Sequence, residues 1–94
     1  MIVISAQIKA KEGNGDELEA VIKKYAPQFL QDEGCLAYAP NRRLDNPLLF
    51  FFYEKYENEE ALKAHGASAT FKEMSGAMRP FVDGRPEICM YREI

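Results

Sequence analysis

The segment Leu48 to Glu57, LLFFFYEKYE, most narrows what this chain can fold into. Successive side chains of a strand point to opposite sides, so Phe50, Phe52 and Tyr56 share one face while Leu49, Phe51 and Tyr53 share the other. A strand that is apolar on both sides has to be covered on both sides. It calls for strand neighbours, a layer of helices against one face and a further apolar surface against the other.

The rest of the chain supplies those parts. Ile2 to Ala10 sets Ile2, Ile4, Ala6 and Ile8 in alternation with Val3, Ser5, Gln7 and Lys9, the period of a first strand. After Gly13, Asn14 is placed to cap a helix in which Leu18, Val21, Ile22, Tyr25 and Phe29 recur at helical spacing. Pro27 lacks the amide that would bond to the Lys23 carbonyl, which predicts a bend or an early frayed turn, and Gly34 closes the segment. Cys35 to Arg42 pairs with Leu48 to Glu57 as a hairpin through the turn-forming Leu44-Asp45-Asn46-Pro47. Asn58 caps a short helix, Glu59 to His65, for which Gly66 is the expected stop. Ser68 caps another, with Phe71, Met74 and Met78 along one side, until Pro80 and the Asp83-Gly84 turn. Arg85 to Glu93 completes the pattern as a last strand.

Strand, helix, strand, strand, helices, strand is the order of an α+β fold, the ferredoxin-like split β-α-β sandwich. Its right-handed crossovers put both helical connections on one side of the sheet. The other side stays bare, and its Leu49, Phe51 and Tyr53 predict that two copies pack sheet to sheet as a homodimer. The expected strand order, four-one-three-two, sets the strands of Cys35 and Cys89 at opposite edges about 14 Å apart, at ~4.8 Å per strand step. Both cysteines are therefore expected as free thiols.

Ninety-four residues with no break in composition predict a single domain, 1–94. At that size folding buries only about 60–65% of the unfolded surface, which adds to the case for a partner subunit. Twelve basic and fifteen acidic residues lie interspersed, so there is no basic stripe for nucleic acid. The longest apolar run, Leu48 to Tyr53, falls far short of the ~20 residues of a membrane span, and no secretory leader is evident, so the cytoplasm is expected. One histidine, two distant cysteines and no glycine-rich phosphate loop give no grounds for a metal centre or a nucleotide, and no cofactor is expected.

The runs Glu33-Gly34-Cys35-Leu36-Ala37-Tyr38, Leu48 to Tyr56, Glu60-Ala61-Leu62-Lys63-Ala64-His65 and Ser68-Ala69-Thr70-Phe71-Lys72 resemble the antibiotic biosynthesis monooxygenase family over nearly the whole chain. Tyr38-Ala39-Pro40 is similar to the bacterial quinol monooxygenases within it. The resemblance implies a dimeric α+β barrel. The chain departs from the family where many members have Glu-x-Trp, which here is Glu54-Lys55-Tyr56, and where they have a second histidine before Phe71, which here is Thr70. Asn41 stands at a position that is often histidine, and Ala6, His65 and Ser75 replace the Asn, Trp and His of the haem-degrading branch, so haem breakdown is disfavoured.

What the resemblance implies is a cofactor-independent monooxygenase that oxidises a quinol or polyphenolic aromatic with dioxygen, using the substrate's own electrons. The alternatives are an isomerase or tautomerase acting on a small metabolite, phosphorylated or not, and a non-catalytic ligand-binding dimer. The monooxygenase needs a base, a polar clamp and a dry pocket. His65 is the expected base, because an imidazole takes up a proton near neutrality, although a histidine closing a helix also suits the dipole. Asn41 is the candidate for orienting a phenolate or peroxide oxygen, unless it serves the hairpin, and Tyr56, in place of the common tryptophan, is the candidate for packing its ring against the substrate at the catalytic centre, unless it serves the core alone. Phe50, Phe52, Phe71 and Met74 are the expected pocket lining or, equally, core. Arg42 and Arg43 point to opposite faces, so at most one of them reaches an anion in a given site.

Overall fold

In the computed structural model, which describes residues 1–94, the elements run β1 (Ile2–Lys9), α1 (Gly15–Phe29), β2 (Cys35–Arg42), β3 (Leu49–Tyr56), α2 (Glu59–Ala67), α3 (Ala69–Met78), a 3-10 turn (Arg79–Phe81) and β4 (Glu87–Arg92). All neighbouring strands are antiparallel, and the sheet order is β2-β3-β1-β4. This is the ferredoxin-like α+β arrangement. The doubly apolar β3 takes an interior place, with its backbone groups paired to β1 on one side and β2 on the other. Cys35 and Cys89 sit on opposite edge strands, and both are free.

Register decides which side chains share a face. Ala6 stands opposite Phe52 and Ile88, and Ile4 opposite Glu54 and Met90, while Tyr38 of β2 pairs with the same Glu54. These residues point toward the helices. Leu18, Ile22 and Phe29 of α1 and Met74 of α3 pack onto Ile8, Tyr38, Phe50 and Phe52 to form the buried core. On the other face, Phe51 and Tyr53 remain 40% and 38% exposed, because no helix crosses that side.

The helix ends show how the short elements are set. Pro27 falls in the last turn of α1, where the helix is already ending, so it causes no break and the chain leaves the helical path at Leu30. Asn14 occupies the cap position of α1 without a capping side-chain bond, whereas the Asn58 side chain accepts from the Ala61 amide at 2.9 Å. Gly66 does not stop α2, which continues to Ala67. The break is made by Ser68, whose hydroxyl donates to the His65 carbonyl at 2.8 Å and accepts from the Phe71 amide at 3.1 Å, closing one helix and capping the next. Gly34 turns into β2 with φ of 81°, a conformation that favours glycine, and a Cβ there would meet the Ala61 side chain of α2.

Strand β4 differs from the other three. The helices lie over β1, β2 and β3 and leave β4 uncovered, so Ile88 and Met90 stay 60% and 62% exposed although they point to the helical side.

Candidate active site

Between the sheet and the helices α2 and α3 lies a cavity of about 300 Å³. Its floor is sheet, with Ile4, Ala6, Ile8, Phe52, Glu54 and Tyr38, and its roof is helical, with Leu62, His65, Phe71, Met74, Ser75 and Met78. Pro86, Ile88 and Met90 form the side wall at the uncovered strand. The volume suits a small organic molecule, and the wall is apolar apart from a few polar groups, as ligand cavities usually are.

Those polar groups meet at one place. His65 and Glu54 are each only 6% exposed, and His65 Nε2 lies 3.7 Å from Glu54 Oε1, within ionic range but beyond a hydrogen bond. The Tyr56 hydroxyl donates to the same Oε1 at 2.7 Å. His65 Nδ1 has no partner in the chain. The imidazole is held instead by packing, with the rings of Phe29, Tyr38, Tyr56 and Phe71 at centroid distances of 4.6, 5.7, 5.2 and 5.2 Å. Neither ring nitrogen is committed to a hydrogen bond within the chain, and Nδ1 is buried without a partner.

Burial governs the charges. It pushes the Glu54 carboxyl above its ordinary range, partly offset by the bond from Tyr56, and it pulls the His65 imidazole down, partly offset by the charge of Asp32. The Tyr38 and Tyr56 hydroxyls are held far above theirs, by burial first and by the nearby Glu54 carboxyl second. Around neutrality the site therefore favours a neutral imidazole beside a carboxyl whose ionisation is resisted. Such an imidazole can accept a proton. No group of three His, Cys, Asp or Glu side chains converges to hold a metal ion.

The residues singled out in the sequence divide between two places. His65, Phe52, Phe71 and Met74 line the cavity, and Tyr56 stands behind it, fully buried and touching it through Glu54 and His65. Phe50 is on the same face but one register step further along, packed in the core with Arg42 over its ring, and does not reach the cavity. Asn41 is on the other side of the sheet, opposite Phe51, because its parity in β2 turns it away from the helices. Its amide donates to the Ala39 carbonyl at 2.9 Å and to the Phe51 carbonyl at 3.4 Å, and it borders a separate depression with Gln7 and Leu49. His65 and Asn41 thus share no cavity. Arg42 is engaged by Asp16, Glu19 and the Pro47 carbonyl, and Arg43 by Asp45. The residue the sequence reading missed is Glu54. Its signal was parity: it follows Phe50 and Phe52 and precedes Tyr56 on the inward face of β3.

The sequence profile described as antibiotic biosynthesis monooxygenase matches residues 1–77. No curated protein matches the chain. Among solved structures, a candidate antibiotic biosynthesis monooxygenase of Nitrosomonas europaea superposes with a TM-score of 0.96 over 100% of this chain and 99% of its own, at 16% identity. A candidate antibiotic biosynthesis monooxygenase of Caulobacter crescentus gives 0.93 at 29% identity over 99% and 89% of the two chains. A conserved protein of Methanosarcina mazei gives 0.91 at 28% identity over 99% and 92%.

Proposed function

We propose that this chain, which belongs to the antibiotic biosynthesis monooxygenase family, is a cofactor-independent monooxygenase that oxidises a quinol or polyphenolic aromatic with dioxygen. One observation carries the reading. A buried imidazole, kept from charging by its burial and making no hydrogen bond within the chain, borders a largely apolar cavity beside a carboxyl. In this reading His65 takes the proton of a substrate hydroxyl, and the phenolate then passes one electron to dioxygen. The substrate radical and superoxide combine to a peroxide, which takes the proton back and loses water, leaving one oxygen atom in the product. The peroxide O–O bond and the ring C–H bond break as water leaves, so all four electrons needed to reduce dioxygen come from the substrate, which ends as a hydroxylated quinone. Phe52, Phe71 and Met74 would pack against the ring, and Tyr56 would act on the site through Glu54 rather than touch the substrate.

The same proposal has the chain working as a cytoplasmic homodimer joined through the bare face that carries Phe51 and Tyr53. An isomerase acting on a phosphorylated metabolite has less support, since no lysine or arginine borders the cavity. The test is an oxygen electrode with a panel of hydroquinones and purified protein to which no flavin, haem or metal has been added. Oxygen uptake with formation of an oxygenated product supports the proposal. Turnover only after addition of a cofactor removes it, and saturable binding without turnover favours a ligand-binding dimer.

A further inference from the structure

We propose that the cavity selects uncharged hydroxylated ring compounds and rejects their anionic counterparts, and that Glu54 is the residue that sets this choice. The inference rests on the reading of the cavity as the substrate site and concerns which member of a chemical series it takes. An anion that enters loses its hydration and must find a cation or several donors in exchange. The cavity offers no cation, because its border contains no lysine or arginine, and its donors are few, the Tyr38 and Ser75 hydroxyls and the His65 ring. Of the cationic side chains on the surrounding strands, Arg42 is committed to Asp16 and Glu19 and Lys55 to Glu93, while Lys9 and Arg92 make no ion pair but do not border the cavity. His65 is the one group there that can become cationic, and its burial opposes that.

Glu54 adds discrimination of its own. Its carboxyl lies in the floor of the cavity, and of its two oxygens only Oε1 is taken, by Tyr56. A carboxyl so placed can accept a hydrogen bond from a ligand hydroxyl, whereas it meets a ligand carboxylate or phosphate with charge against charge when ionised, and with a single O–H donor and no countercharge when protonated. Specificity of this kind comes as much from what is repelled as from what is bound. The rest of the border is too apolar to compensate, with Ile4, Ile8, Phe52, Phe71 and Met74 around the acid.

The experiment compares 2-naphthol, 2-naphthoate and 2-naphthyl phosphate, which share one ring system, by isothermal titration calorimetry at pH 7. The methyl signals of Met74 and Met78 locate each ligand in the cavity. The expected result is that the naphthol binds at least tenfold more tightly than the naphthoate and that the phosphate does not bind. In Glu54→Gln the tenfold gap should narrow to about threefold or less. Glu54→Met, similar in shape, serves the same comparison if the glutamine variant does not fold. Equal or tighter binding of the naphthoate by the unaltered protein, or no binding of the naphthol at millimolar concentration, overturns the proposal. An unchanged ratio in a folded Glu54 variant removes Glu54 as its cause. Selective naphthol binding by a protein that oxidises no hydroquinone leaves this inference standing while the oxygenase reading fails.

Discussion

The Tyr56 hydroxyl and the Glu54 carboxyl lie on the same face of β3, two residues apart, and meet at 2.7 Å out of reach of solvent. Tyr56 is the group that holds Glu54 down against the upward push of burial. Tyr56→Phe should raise the Glu54 pKa further and cost about 1–3 kcal/mol of stability, the usual range for leaving a buried polar group without its partner. Urea denaturation measures the second effect, and carbon NMR of the carboxyl measures the first. A variant with unchanged stability and titration would show that this bond contributes nothing.

Opposite shifts at Glu54 and His65 give stability two opposed pH dependences. The folded-state pKa of Glu54 lies above 4.5, so the native chain holds more proton than the unfolded one as pH climbs from 4.5 through the raised value, and stability is lost across that span. The folded-state pKa of His65 lies below 6.5, so the native chain holds less proton below that pH, and stability is lost as pH falls from 6.5 through the lowered value. The stability of the unaltered protein relative to Glu54→Gln should therefore fall as pH rises from 4.5. Relative to His65→Gln it should fall as pH drops below 6.5. Denaturation midpoints at half-unit pH intervals check both signs.

Replacing His65 by Gln keeps a hydrogen-bonding side chain and removes the titration. If His65 is the base, the rate of quinol oxidation should fall on the order of 10²–10⁴-fold. Stability should drop by about 1–3 kcal/mol as well, because the ring packs against four aromatic neighbours rather than lying at an exposed helix end. Turnover has to be measured below the melting temperature of the variant. A folded Gln variant with near-normal turnover would take the base role from His65 and turn attention to Glu54.

Phe51 lies at the middle of the bare face, beside Gln7 and Asn41 in the register. In a homodimer joined through this face, Phe51→Asp would bury a charge without a partner. Light scattering should give twice the chain mass for the unaltered protein and a lower mass for the variant. A well-folded, monomeric unaltered protein at micromolar concentration would rule out this interface.

The fold could be read from the sequence because periodicity reports burial directly. The alternation in Ile2 to Lys9 and the helical spacing from Leu18 to Phe29 each correspond to one face turned toward the core. The site was harder to read. Asn41 and His65 looked like partners as isolated residue types, but only the pairing of Asn41 with Phe51 shows that the sheet stands between them. Glu54 was hidden for the opposite reason. An acid in a strand usually marks the solvent side, and here it follows the parity of Phe52 and Tyr56 into the interior. Gly66 misled for want of tertiary context, since it was Ser68, bonding in both directions, that ended the helix.

The family profile ends at residue 77, and β4 begins at Glu87. The strand outside the match is also the one whose inward residues, Ile88 and Met90, border the cavity while contributing little to the core. Side chains this exposed can change size or polarity at small cost in folding energy. This wall of the cavity can therefore vary while His65 and its aromatic surround stay fixed, so that ligand preference and fold can answer to separate constraints.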